Sequence, residues 1–436
     1  MSYFHLNLIL QGKLTVCCLL MLSAMPLNAQ REAKQIGDFK ESISLNEHLR
    51  GTKRTLQYRP DGDEFVCVNG KNRYTRALYG SHSPFRVETS DRPVFAFYNN
   101  GRGGNISFKV ILRDGTELAL DCTGHCESRY SAGKRTYYLT DPSWGKGELR
   151  ISVLALADMD GAIWRFSPSN MPKGAILRWQ HGGATGKRLS RNGDMGVDPA
   201  DCFELPAEAT DLVTGELPLQ KEVYLVRGEV SEGYNVRKLY QQAEAASLVL
   251  ASHLKIETPD PYLNTLGGAL VAAADGIWDG QVWLHGAIGW RMPLSGWRAG
   301  YTGDALGWHD RARTHFDAYA ASQVTDVPNT IPHPAQDSTM NLARSEKRWG
   351  TPQYSNGYIC RNPGRNNQMH HYDMNLCYMD ELLWHFNWTG DTAYVRKMWP
   401  VITRHLAWEK LNYDPDNDGL YDAYACIWAS DALYYN

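Results

Sequence analysis

The chain has 436 residues, with 45 Lys plus Arg against 48 Asp plus Glu and a formal net charge of −3. That balance argues against nucleic acid or an anionic membrane as the main partner, because both are held through excess positive charge. With 43% hydrophobic and 21% charged residues, disorder, a collagen-like repeat and a multispan membrane protein are excluded, and the length suggests two or three domains.

Residues 1–29 carry one charge, Lys13, followed by a mostly apolar run from Leu14 to Met25 and by small Ala29. This pattern predicts a secretory signal peptide cut near Ala29. Its apolar core is too short for a comfortable membrane span. Cys17, in Leu14-Thr-Val-Cys17, offers a lipoprotein alternative. Removal of the leader leaves Cys67, Cys122, Cys126, Cys202, Cys360, Cys377 and Cys426. Cys122 and Cys126 bracket a Thr-Gly-His turn and are placed to pair in an oxidising compartment, and an odd count leaves at least one thiol free. Cys122, His125 and Cys126 lack the second ligand pair of a structural zinc site.

Residues 30–233 read as a strand-rich domain. Val94 to Tyr98 is followed by a Gly-rich turn and by alternating Ile106, Phe108, Val110 and Leu112. Asp114-Gly115 then turns the chain into Leu118 and Leu120, a meander pattern. Further strands are predicted over 148–157, 162–166, 174–180 and 222–227. Short strands with Gly-rich turns predict a β-sandwich. Residues 234–260 are expected to form a linker helix, with Val236, Leu239 and Tyr240 on one face, ended by Pro259 and Pro261. Residues 261–436 read as an all-α domain with helices at 262–277, 298–322, 368–388 and 391–412. The last two are joined by the tight turn Thr389-Gly390-Asp391. Another helix is predicted to open at Ser430, with Ser430 as its N-cap. It has only six residues before Asn436, so the chain is expected to be a fragment of something longer. Eleven of the 14 Trp lie between Trp278 and Trp428. The long connections 279–297, 324–367 and 414–428 contrast with the minimal 389–391, and long structured loops are where function concentrates.

Arg298-Ala-Gly-Tyr-Thr-Gly-Asp-Ala305 is similar to the Arg-x-Gly-Trp-Thr-Gly-Asp-Ala stretch of bacterial α-L-rhamnosidases. The Trp-Thr-Gly-Asp run at 388–391, with Asp418-Gly-Leu-Tyr421 after the next helix, also recurs in rhamnosidase-like and debranching-enzyme-like proteins. The second half thus resembles the six-hairpin, or (α/α)6-toroid, glycoside hydrolases. The first half, with Asn69-Gly-Lys-Asn-Arg-Tyr-Thr-Arg-Ala-Leu-Tyr79 and the Gly101–Gly104 turn, resembles an uncharacterised domain that precedes such toroids in secreted proteins of glycan-degrading gut bacteria. The resemblance implies a β-sandwich followed by a partial (α/α)6 toroid. It also implies action on a plant or host polysaccharide or oligosaccharide, in the periplasm or at the cell surface of a Gram-negative bacterium. The rhamnosidase pattern has Asp-Glu before its Arg, whereas Gly296 and Trp297 stand here, so neither its acid nor rhamnose specificity carries over.

Inverting glycosidases use one carboxylic acid to protonate the leaving group and one carboxylate to activate water. The loop lengths place candidates where helices start near Trp297, Gln368 and Ser430. Asp431, in a Trp-x-x-Asp context at a helix start, is the first candidate acid; its plain reading is a first-turn residue favoured by the helix dipole. Asp373 is the second candidate, one turn from His370, with a buried His–Asp pair as its plain reading. Trp290, Arg291, Trp297, Arg298, His370 and Trp428 are candidate substrate-binding residues. Aromatic rings stack on sugar C–H faces and Arg forks bind hydroxyls or carboxylates; filling a helical core is the plain reading for most of the Trp residues. Asp380 and Glu381 read as structural or wall residues, and His309, Asp310, Arg311, Arg313 and His315 as a salt-linked helix surface. Asp414, Asp416, Asp418 and Asp422 with Gly419 imitate a calcium loop, but Ala425 replaces the bidentate Glu, so a turn is preferred over calcium and no cofactor is expected. Walker, Rossmann, HExxH and nucleophile-elbow motifs are absent from the sequence. The leading expectation is an inverting glycosidase. One rival is a polysaccharide lyase that recruits Tyr372, His370 and Arg291. The other is a carbohydrate-binding protein that keeps the shape without the acid pair.

Overall fold

The computed structural model describes residues 58–71, 76–99, 102–182, 212–230, 233–286, 291–296, 298–325, 331–332, 352–353, 356–365, 374–414 and 416–421. All described residues belong to one compact unit, Tyr58–Asn436.

Among the described residues, fourteen strands come first. They are β1 (Arg59–Asp61), β2 (Glu64–Val68), β3 (Arg76–Leu78), β4 (Arg86–Thr89), β5 (Phe95–Asn99), β6 (Arg102–Ile111), β7 (Glu117–Ala119), β8 (His125–Ser131), β9 (Lys134–Thr140), β10 (Glu148–Ala155), β11 (Gly161–Ser169), β12 (Ile176–Gly182), β13 (Val213–Pro218) and β14 (Val223–Gly228). One sheet runs β1-β2-β8-β9-β10-β11-β14; the other runs β13-β12-β6-β5-β4-β3, with β7 beside β6. Every pairing is antiparallel. The alternation of Ile106, Phe108 and Val110 on β6 sends all three into the interior, as the period-2 geometry of a strand requires. They meet the other sheet across one shared core. Ring centroids there lie 5.8 Å apart for Phe95–Tyr137, 5.5 Å for Phe95–Trp164 and 5.1 Å for Phe108–Phe166, all edge-on. Such pairs add ~0.5–1.5 kcal/mol each beyond burial. Cys126 turns into this core with Sγ on the Asp91 carbonyl, whereas Cys122 is exposed, and both are free thiols. The two cysteines thus leave the turn in different directions, and the expected pair does not form.

Helix α1 (Val236–Ala251) starts at Asn235, whose side chain accepts the Lys238 N–H. It lays Leu239, Tyr240 and Ala243 on Leu154, Leu156 and Ile163 of the sheet region. The residues expected to link two domains are therefore packed against the first. Helix α2 (Pro261–Gly276) has the Asp260 cap and first-turn Pro that favour a helix start. Its far end is held by guanidinium groups: Arg86 and Arg291 both donate to the Gly276 carbonyl.

Two short hairpins follow, β15 (Leu284–His285) with β16 (Met292–Pro293) and β17 (Ile331–Pro332) with β18 (Pro352–Gln353). The remaining helices are α3 (Gly300–Ala305), α4 (His309–Ala320), α5 (Met374–Thr389) and α6 (Thr392–Tyr413). The single helix expected over 298–322 is two helices. Gly307, at φ +74°, closes the first with its N–H on the Asp304 carbonyl, a left-handed stop that glycine adopts without a Cβ penalty. The expected tight turn at 389–391 forms, and the Asp391 carboxylate caps α6 through the Ala393 and Tyr394 N–H groups. Trp283, Phe316, Tyr319, Tyr378, Leu382, Met398 and Ile402 form the helical core. No helix among the described residues is long and apolar enough to cross a membrane.

Candidate active site

The segment that resembles the rhamnosidase stretch lies against α5. Cys377, Glu381 and His385 sit at i, i+4 and i+8, on one face of that helix, and all three are buried. Gly300 packs directly on Glu381; a Cβ there would strike the carboxyl.

Glu381 is 1% exposed. Its Oε1 faces the Cys377 thiol at 3.7 Å, and its Oε2 completes no hydrogen bond among the described residues. Burial is the main cause that pushes its pKa up, to about 8, and neighbouring Asp380 adds to it. The Arg298 and Gly300 backbone N–H groups and Cys377 pull the other way and do not outweigh desolvation. Glu381 is therefore a carboxylic acid, not a carboxylate, at neutral pH. Exposed Asp380 accepts a short hydrogen bond from the Tyr301 hydroxyl. Burial and then Asp380 raise the Tyr301 phenol, so it remains a donor.

Asp304, in the same segment, is buried and joins two histidines. His309 Nδ1 lies 2.7 Å from its Oδ1, and His385 Nδ1 lies 2.9 Å from both oxygens. A carboxylate only accepts, so both rings present Nδ1–H to it. Fully buried His385 is wedged between Phe316 and Tyr394, each 5.4 Å away.

Nearby His315 is also buried. Its Nδ1 accepts the Trp283 N–H at 3.2 Å, and desolvation drives its pKa down to about 3. The expected salt-linked surface on α4 is thus corrected. His315 faces the core, His309 serves Asp304, and Arg311 pairs with Asp275 at 2.7 Å. Arg313 forms surface pairs, with Asp310 and Asp391. The helical period turns residues two apart toward opposite sides.

These two shifted groups set opposite pH limbs. Glu381 binds its proton more tightly folded than unfolded, so its stabilisation is full below about 4.5 and is lost as pH rises through about 8. His315 binds its proton less tightly folded, so stability is lost as pH falls from 6.5 toward about 3. Between 4.5 and 6.5 the two slopes cancel. Urea unfolding across pH is expected to lose about 1–2 kcal/mol on each limb from these groups. Glu381→Gln should flatten the limb from 6.5 to 8, and His315→Asn the limb from 4.5 to 3. Limbs unchanged relative to wild type would refute the assignments.

Of the sequence candidates, Asp373, Asp431, Trp290, Trp297, His370 and Trp428 lie outside the described residues, as does Tyr372. Arg291 donates to the Gly276 and His82 carbonyls at 2.9 and 3.3 Å, and its guanidinium is spent on the joint between sheets and helices. Arg298 is exposed beside Glu381, with φ +59°. Gly296 explains one departure from the rhamnosidase pattern. A Cβ at this position would collide with the Met374 carbonyl and the Tyr378 amide of α5, so an Asp has no room there. Gly296→Ala is expected to destabilise by ~1–3 kcal/mol through overpacking, read from the urea midpoint; an unchanged midpoint would mean that the backbones separate freely.

Asp414, Asp416 and Asp418 bring one oxygen each within 4.8 Å of one another. Asp414 and Asp418 already accept the Gly419 and Leu420 N–H groups. These bonds are those of a turn, and Asp422, the fourth oxygen-bearing residue of the pattern, lies outside the described residues.

Residues 100–229 match a family described as a domain of unknown function, DUF4450. The match runs from β6 to β14 and stops before α1. No curated protein matches the chain.

Proposed function

We propose that this chain is a secreted glycoside hydrolase whose helical part is of the (α/α)6-ring type. The supporting observation is the pairing of Glu381, a carboxyl protonated at neutral pH, with the Arg298–Ala305 segment that resembles the rhamnosidase stretch. A general acid must hold a proton near the working pH and yield it as charge develops on the leaving oxygen. Glu381 takes that role. Asp380 and Arg298, next to it in the chain and in the facing segment, are exposed, and Tyr301 donates to Asp380. Asp373 and Asp431 supply the candidates for the carboxylate that activates water on the opposite sugar face. The substrate class is a plant or host polysaccharide fragment, met in the periplasm or at the cell surface.

The test is a panel of pectin-type, rhamnosyl and arabinosyl oligosaccharides incubated with the full chain, with product anomers followed by NMR. Appearance of the inverted anomer, abolished in Glu381→Gln, supports the reading. Unsaturated uronide absorbance would replace it with a lyase, and binding without turnover would replace it with a lectin-like protein.

A further inference from the structure

A second concave site lies apart from the carboxyl cluster, at the seam between the sheets and the first two helices. It is a cleft of ≈ 220 Å³, far above the ~10–15 Å³ that admits one water and below the ~300 Å³ floor of drug-sized pockets. Its walls are small: Ala155, Ala243 and Ala272 among them, with Ala246 exposed at its mouth. None of its lining residues belongs to α3 or α5.

One end is polar. His82 Nε2 and Arg311 Nη1 both engage the same oxygen of Asp275, Oδ1, at 3.2 and 2.7 Å. Burial works to raise the Asp275 pKa, but these two partners outweigh it and keep the carboxylate ionised. Both bonds go to Oδ1; among the described residues none reaches Oδ2, and Asp275 lines the cleft. Arg311 is fixed in place by stacking on Trp308, 4.4 Å from the ring centre, and uses one nitrogen on Asp275. Arg311 also lines the cleft, and among the described residues its other guanidinium nitrogens form no hydrogen bond.

We propose that this cleft binds one neutral saccharide residue through an adjacent pair of hydroxyls. One hydroxyl donates to Asp275 Oδ2, and its neighbour accepts from Arg311. The pair is formally neutral, so it has no surplus charge for an anionic ligand, and a carboxylate beside a guanidinium complements a diol, in which each hydroxyl both donates and accepts. The alanine walls admit the C–H faces of a ring. The inference shares its ligand class with the proposed hydrolase and rests on different residues.

The full chain should be titrated calorimetrically with neutral sugars (rhamnose, arabinose, galactose, glucose) and with galacturonate, beside three variants. Wild type should bind at least one neutral sugar. Asp275→Asn and Ala246→Phe, the latter an exposed position that plugs the mouth without touching the core, should weaken it at least tenfold. Glu381→Gln should leave it intact. Neutral-sugar affinity unchanged in Ala246→Phe, no binding of any neutral sugar, or preference for galacturonate would each overturn the inference. Loss of turnover in Glu381→Gln with cleft binding retained separates the two sites, and absence of all turnover with cleft binding retained removes the hydrolase while leaving the cleft.

Discussion

Glu381→Gln is expected to lower kcat by ~10²–10⁴ on a saccharide with a poor leaving group, the usual contribution of a positioned general acid, with little change in KM. The amide keeps the shape and loses the proton. The wild-type profile of kcat/KM should fall as pH rises through about 8, because the protonated form of Glu381 is the active one and burial places its pKa there. In the variant that alkaline limb should vanish from whatever activity remains. Substrates with activated aryl leaving groups need less protonation and should lose much less. A structural Glu381 would give a different signature: lowered stability, an intact alkaline limb and equal losses on both substrate types. If Asp431→Asn or Asp373→Asn removed the alkaline limb and Glu381→Gln did not, the acid would be that residue instead.

The sheets were legible because their signals are local. Ile106, Phe108 and Val110 alternate, Asp114-Gly115 turns, and the strands predicted at 148–157, 162–166 and 222–227 form close to those bounds. Helix existence was legible for the same reason, from apolar spacing and caps such as Asp391. The break at Gly307 was missed because the apolar positions stay in phase across it. The polar row Cys377, Glu381, His385 was present in the sequence as an i, i+4, i+8 pattern, but its meaning was not. Glu381 becomes an acid only when Gly300, 81 positions earlier, closes on it and excludes water. Arg291 shows the converse. Its neighbours in sequence suggested a sugar-facing guanidinium, while its partner at residue 82 lies 209 positions away on the sheet side. Periodicity carries no information about such distant pairings, and it is distant pairings that set charge and access.

Asp304→Ala is expected to be the most destabilising single change in the helical region, at ~3 kcal/mol, because a buried N–H left without its acceptor costs ~1–3 kcal/mol and two rings share this one carboxyl. The carboxylate is the common acceptor for His309 and His385 and sits where α3, α4 and α5 meet. His385 is fully buried, so its Nδ1–H would be left with neither protein nor water as a partner, and Phe316 and Tyr394 leave the ring no route to solvent. His309 has a side chain 40% exposed and can turn to water, so His309→Ala should cost much less. Asp304→Asn should fall between them: its amide oxygen still accepts one N–H, but its NH2 group turns a second acceptor into a donor facing a donor, a mismatch of ~1–3 kcal/mol. Urea unfolding of the three variants checks the order. A loss under 1 kcal/mol in Asp304→Ala would show that His385 finds another acceptor, and the segment Gly300–Ala305 would then be held against α5 by Gly300 on Glu381, by the Tyr301–Asp380 hydrogen bond and by apolar packing.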